Sequence, residues 1–261
     1  MWKSHIIKQK TGPEDLEFQA TLEDAFGQVA PADVIAIADE LADRQSRLFS
    51  GLKPASDKFF NPSFEVFSAV THSKANARTL ASYFAQSDNI LFGDLLNGEA
   101  PTPQRVENFV KQAASLDTRL ALELATGLLH NIAPQEHWLW TRWLWDPTTG
   151  TGILPLLAGS THNLLSDNFA DGYARVGAVS ALSLKLCAGT GLFSAALADD
   201  EQHSPFTASA FLACAYSVYM YGATSWRLSR EFTRLLPALP NMARKLLGLP
   251  RIKVVQSLVQ S

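Results

Sequence analysis

Apolar residues recur three and four positions apart along almost the whole chain. Leu16, Phe18, Leu22 and Phe26 precede Gly27 and predict a first helix opened by Pro13. After Ala30-Pro31, the residues Val34, Ile37, Leu41 and Leu48 form one stripe, and Gly51 stops it. Proline suits the first helical position because its φ is already helical and its missing N–H would have no partner there. Asn61-Pro62 repeats the signal, with Asn61 as the expected cap and Phe64, Phe67 and Val70 as the expected buried face.

The stretch 75–96 reads as helical through Leu80, Phe84, Leu91 and Leu95, with a break near Ser87-Asp88 and an end at Asn97-Gly98. Thr102-Pro103 opens another helix carrying Val106, Phe109, Val110 and Ala113. Leu120, Leu124, Leu128 and His130 continue the pattern after Asp117. A restart at Ala133-Pro134 predicts a further helix running to Asp146-Pro147. The Gly/Thr-rich loop 148–152 then divides a single helical domain, 1–261, into halves 1–147 and 153–261.

Two long apolar segments follow, Val176–Ala198 and Ser204–Trp226, joined by Asp199-Asp200-Glu201. The second has no charge at all and is long enough to cross a bilayer. Arg175 and Arg227 bracket the pair as they would a membrane hairpin. Lys185 inside the first segment and Tyr216, Tyr219 and Tyr221 inside the second argue against lipid, because charge is costly there and interfacial aromatics belong at the ends. An antiparallel buried helix pair is therefore expected. Folded about Asp200-Glu201, it would set Cys187 level with Cys214 and Lys185 level with Tyr216.

Only Ile252 and the residues after it resemble a strand. There is no sustained period-two alternation, no Asn-Gly hairpin and no strand–glycine-loop–helix unit. The expected class is all-α, a compact multi-helix bundle.

Composition narrows the function more than it defines it. A hydrophobic content of 47%, with 15 Phe and 6 Trp, excludes a disordered chain. Two cysteines cannot build a disulfide scaffold or a four-thiolate zinc site. Met1–Gln28 contains no apolar run of signal-peptide length, so a cytoplasmic location with reduced thiols is expected. Charge is segregated: Glu14 to Asp43 holds nine acids and no base, whereas Arg227 to the end holds seven bases and one acid, Glu231. That split is first of all what two solvated helix faces give, and otherwise points to a partner surface or to contact between the two ends.

Candidate chemistry gathers in His130–Gly152, which carries Trp138, Trp140, Trp143 and Trp145. His130, Glu136, His137 and Asp146 are the catalytic or ligating candidates, since imidazoles and carboxylates converging across Pro134 could exchange protons. No HExxH or paired ExxH element supports a metal, and no glycine-rich phosphate loop supports a nucleotide cofactor. A structural reading makes Trp138 and Trp145 a packing stripe and pairs Arg142 with Asp146. An interaction reading makes Trp138, Arg142 and Trp145 a docking surface, because tryptophan and arginine dominate binding hot spots.

Arg227, Arg230 and Arg234 form a basic stripe opposite Leu228, Phe232 and Leu235, first of all an ordinary solvated face, and otherwise fit for an acidic partner helix, an anionic membrane surface or a phosphate-bearing ligand. The net charge of −3 and the lack of a helix-turn-helix signature argue against nucleic acid. The expected function is a non-enzymatic helical interaction or scaffold protein with a protein partner or self-association. The alternatives are a helical enzyme built on the His130 cluster and a membrane-associated protein using 176–226.

Overall fold

The computed structural model describes residues 31–49, 62–85, 90–158, 163–189, 204–225 and 239–252, and the description that follows is of these. They form an all-α fold with no β-strand among the described residues. The helices are α1 (Pro31–Leu48), α2 (Phe64–Thr71), α3 (Lys74–Phe84), α4 (Ile90–Asn97) and α5 (Thr102–Gln112). They continue with α6 (Thr118–Ile132), α7 (Ile153–Ala158), α8 (Phe169–Gly189), α9 (Thr207–Ser225) and α10 (Leu239–Leu246).

Local chemistry sets the starts. Ser63 caps α2 by accepting from the Val66 N–H at 3.3 Å, and Ser73 caps α3 through Asn76 in the same way. Asp117 caps α6 with one carboxylate oxygen, taking the Arg119 and Leu120 N–H groups at 3.1 Å each. Each cap satisfies donors that the helix itself leaves free. The cap expected at Asn61 falls outside the described residues, and Ser63 does that work for α2. The buried arc of α2 centres on Val66, Phe67 and Val70, so Phe64 turns outward.

Phe67, Phe84, Phe92 and Phe109, one from each of α2 to α5, interlock into an aromatic core. Ring centroids are 5.8 Å apart for Phe67–Phe84, 4.5 Å for Phe84–Phe92 and 5.6 Å for Phe92–Phe109. Such tilted and offset rings gain beyond simple burial. Helix α6 runs through the middle, packed by α2, α4 and α5, and it is buried on nearly every side.

The second half departs from the expected helix pair. Both segments are helical, yet among the described residues each takes its burial from other neighbours. Helix α8 packs on α5 and α7, whereas α9 packs on α1 and α10 and touches α7. Tyr173, Val176 and Val179 face inward from α8 while Ala174 and Ala178 face solvent. Phe211, Leu212, Ala213, Cys214 and Ala215 of α9 are all buried, so this helix is enclosed rather than one-sided. No described helix is long and apolar enough to cross a membrane. The side chains of Lys185 and Cys187 lie outside the described residues, so the level pairs Cys187–Cys214 and Lys185–Tyr216 do too.

The helix expected over 134–146 is absent. A turn at Ala133 receives the Glu136 and His137 N–H groups, the chain then extends to Thr141, and a second turn closes there through Leu144 and Trp145. Backbone groups that a helix would satisfy internally find other partners. The Thr126 hydroxyl donates to the Trp140 carbonyl at 3.1 Å and accepts from its N–H at 3.2 Å. The Tyr173 hydroxyl accepts from the Trp138 N–H at 2.9 Å, and the Trp143 and Leu144 carbonyls accept from Ile153 and Leu154. Asp146 bridges to Thr151, where Gly152 at φ 135° passes so close to Leu144 that a Cβ would sit 2.3 Å from its carbonyl oxygen. Only glycine fits there.

Candidate functional site

A cleft of about 560 Å³ opens where this irregular segment meets α9 and α10. One wall is Glu123 of α6 with Thr141, Arg142, Trp143 and Asp146. Facing it are Tyr216, Ser217 and Met220 of α9 and Met242, Lys245 and Leu246 of α10, with Thr71 and His72 at one corner. A smaller pocket of about 220 Å³ lies beyond the same wall, sharing Glu123, Thr141, Arg142 and Asp146 and adding Trp145. The larger volume falls within the range of small-molecule pockets, and its lining mixes apolar surface with a few polar groups.

The corner is fixed by the end of α2. His72 adopts the left-handed conformation, φ 55°, that terminates the helix. Its ring lies against Gly248, where a Cβ would stand 2.6 Å away, and Gly248 at φ 69° is the left-handed turn that ends α10. The Leu249 N–H reaches back to the Arg244 carbonyl at 2.8 Å to complete that end.

Electrostatics divides the acids. Burial pushes the Glu123 carboxyl above its ordinary value, against the pull of the Arg142 backbone N–H and the Arg142 charge. Burial also acts to raise Asp146, but the Thr148 N–H at 3.0 Å and the Arg142 guanidinium at 3.1 Å prevail, leaving its carboxyl below the ordinary value. Burial and then the Arg44 charge drive the His72 imidazole down to about 3, with the Leu246 carbonyl opposing them. Burial also raises the Tyr216 phenol. Asp146 and Arg142 therefore neutralise each other, while Glu123 is the acid biased toward its protonated form.

Two polar atoms in residues of the cleft wall are closed off by protein and have no partner. The Thr141 hydroxyl and the Trp143 Nε1–H are buried without a hydrogen bond, in residues only 5% and 7% exposed. The Trp143 ring is held from across the cleft by Tyr216, at a centroid distance of 6.2 Å. Trp145 Nε1, on the smaller pocket, is likewise unpartnered.

Of the four candidate catalytic residues, Asp146 alone lines the cleft. His130 is buried with both ring nitrogens engaged, Nδ1 with the His137 carbonyl and Nε2 with the Ser209 hydroxyl, each at 2.8 Å. It touches the backbone of His137 rather than its ring. Burial brings its pKa down to about 4. Glu136 is exposed on the first turn and His137 is half-buried. Among the described residues no group of three or more His, Cys, Asp and Glu side chains is placed to hold a metal ion.

The interaction candidates are dispersed as well. Trp145 is buried, Trp138 is half-buried against Gly177, and Arg142 is exposed. Arg227, Arg230 and Arg234 lie outside the described residues. Sequence reading passed over Glu123 and His72. The signal for Glu123 was present, since it is the only charged residue from Leu120 to Ile132 on a helix that is otherwise core. Comparison with protein-family models, curated proteins and solved structures finds no match to this chain.

Proposed function

We propose that this is a non-enzymatic helical binding protein whose partner is a small molecule held in the cleft between Trp143 and α10. The carrying observation is the cleft itself, about 560 Å³ and walled by Trp143 together with Tyr216, Met220 and Met242. Trp143, Tyr216, Met220 and Met242 offer flat and adaptable apolar surface for the rest of the ligand. The interaction role expected from the tryptophan–arginine segment thus moves inward, from an exposed patch to the lining of a cavity. The reading carries with it a reducing, cytoplasmic setting, in which Cys214 remains a buried free thiol.

The test is a titration with phenylnaphthylamine, an uncharged fluorophore that brightens in apolar sites. One molecule binds per chain, saturably, and Met242→Trp, which fills the cleft, removes the binding. Binding that never saturates, or that survives the filled cleft unchanged, refutes this reading.

A further inference from the structure

Resting on the small-molecule reading above, we propose that the cleft and the smaller pocket are two ends of one groove. The ligand is then an elongated, uncharged molecule with an apolar group at each end.

Volume decides against two separate ligands. The cleft holds about 560 Å³, within the range of small-molecule sites, whereas the smaller pocket holds about 220 Å³, below the roughly 300 Å³ at which that range begins. Alone the smaller pocket is undersized; as an extension of the cleft it takes one ring or a short alkyl chain. Glu123, Thr141, Arg142 and Asp146 line both spaces, so a single strip of residues divides them. Thr141 and Asp146 are buried and Glu123 is half-buried, while the Arg142 side chain is 61% exposed. At the surface the divide is therefore Arg142. One ion pair to Asp146, at 3.1 Å, holds its guanidinium, and a pair with one member so exposed is weakly held. Asp146 keeps the Thr148 N–H when the guanidinium swings aside. A molecule joining the two spaces passes beneath this arginine.

On either side of the strip the lining is apolar. The cleft has half-buried Met220 and Met242 beside Trp143 and Tyr216. The smaller pocket combines half-buried Phe169 and exposed Pro147 with the buried Leu122 and Trp145. Covering such surface favours an apolar group at each end. The polar groups of the strip are turned on one another, the Arg142 guanidinium on Asp146 and the Arg142 N–H on Glu123. The middle of the ligand therefore meets no charge that needs a counter-ion.

The experiment titrates the full chain with acyl dimethylaminonaphthalenes, uncharged fluorescent ketones, as the acyl group is lengthened from propionyl to octanoyl. Affinity rises about threefold per methylene as the tail enters the smaller pocket. Thr118→Trp, at the first residue of α6, and Thr148→Trp, on the loop after Asp146, place an indole at exposed positions lining that pocket. The variant that fills it binds the octanoyl and propionyl ketones alike, with propionyl affinity as in the parent. Circular dichroism of both variants matches the parent, since both positions are exposed. Flattening in either variant supports the spanning ligand.

A parent that binds all chain lengths equally overturns the spanning assignment, as does a chain-length dependence kept in full by both tryptophan variants. Loss of the propionyl ketone together with the longer ones in those variants overturns it too. In each case the cleft remains a site for a compact ligand. Failure of the propionyl ketone to bind saturably, or its undiminished binding to Met242→Trp, overturns the small-molecule reading itself, and the spanning assignment falls with it.

Discussion

Glu40 of α1 and Arg244 of α10 stand 204 positions apart in the chain and close a two-pronged ion pair. The pair joins the acidic start of the described chain to its basic end, so part of the segregated charge is spent internally. Arg244 is buried and also donates through Nε to the Pro250 carbonyl at 2.7 Å, while the glutamate keeps one face in solvent. The two partners are therefore not equivalent. Glu40→Ala strands a buried guanidinium and should cost about 2–3 kcal/mol, whereas Arg244→Met leaves a carboxylate that water can reach and should cost less. Urea unfolding midpoints of both variants, at constant slope, check the order. An equal or reversed order would mean that the pair is screened as a surface bridge.

Acid should unfold the protein through its histidines. Burial first, then Arg44, holds His72 at about 3, and burial holds His130 at about 4, both below the ordinary 6.5. In that window the unfolded chain binds protons that the folded chain refuses, so stability is fully present above pH 6.5 and falls as the pH drops. The decline approaches about 1.4 kcal/mol per pH unit for each histidine and ends near pH 4 for His130 and near pH 3 for His72. His72→Asn keeps a residue that tolerates the left-handed turn and removes one titrating ring. Its unfolding free energy, followed between pH 6 and pH 5, should fall less steeply than that of the parent, by about 1 kcal/mol per pH unit, with His130 and His137 still contributing.

Several helix starts were legible because they rest on single residues acting locally: Pro31, Thr102-Pro103 and the start after Asp117 all stand where the pattern put them. The segment from Pro134 to Asp146 was not, although its tryptophans sit at helical spacing. Trp140, Trp143 and Trp145 are buried even without the helix; what differs is where the backbone hydrogen bonds go. Thr126 on α6 and Tyr173 on α8 supply the partners, and neither is visible from the segment itself. The cleft inherits this difficulty. Its walls come from α2, α6, α9, α10 and the irregular segment, a convergence that depends on helix packing and not on spacing within any one helix. Likewise the apolar length of α8 and α9 announced burial but could not say against which neighbours.

Gly152 is where the irregular segment is most exposed to damage. Its φ of 135° is closed to side chains, and a Cβ would strike the Leu144 carbonyl at 2.3 Å and the Trp145 nitrogen at 2.9 Å. Gly152→Ala should cost about 2–3 kcal/mol and lower the melting temperature by several degrees. Because Leu144 and Trp145 flank the cleft wall, the variant should also weaken phenylnaphthylamine binding. A melting temperature within one degree of the parent would show that the turn relaxes freely.

Buried donors without partners should lower stability without serving the cleft. Thr141→Val replaces an unpartnered hydroxyl by a methyl of nearly the same size. In the empty protein it should be neutral or stabilising by up to about 1 kcal/mol, against the usual sign for a core polar-to-apolar change that breaks a bond. Phenylnaphthylamine affinity should stay as it is in the parent, because the hydroxyl is enclosed by protein and does not open into the cleft. Trp143→Phe loses packing against Tyr216 as well as the N–H, so its stability falls, and its phenylnaphthylamine affinity falls with the lost wall. Thermal melts without ligand, paired with the titration, separate these effects. If Thr141→Val instead destabilised the empty chain by about 2 kcal/mol, the hydroxyl would already have a partner within the fold.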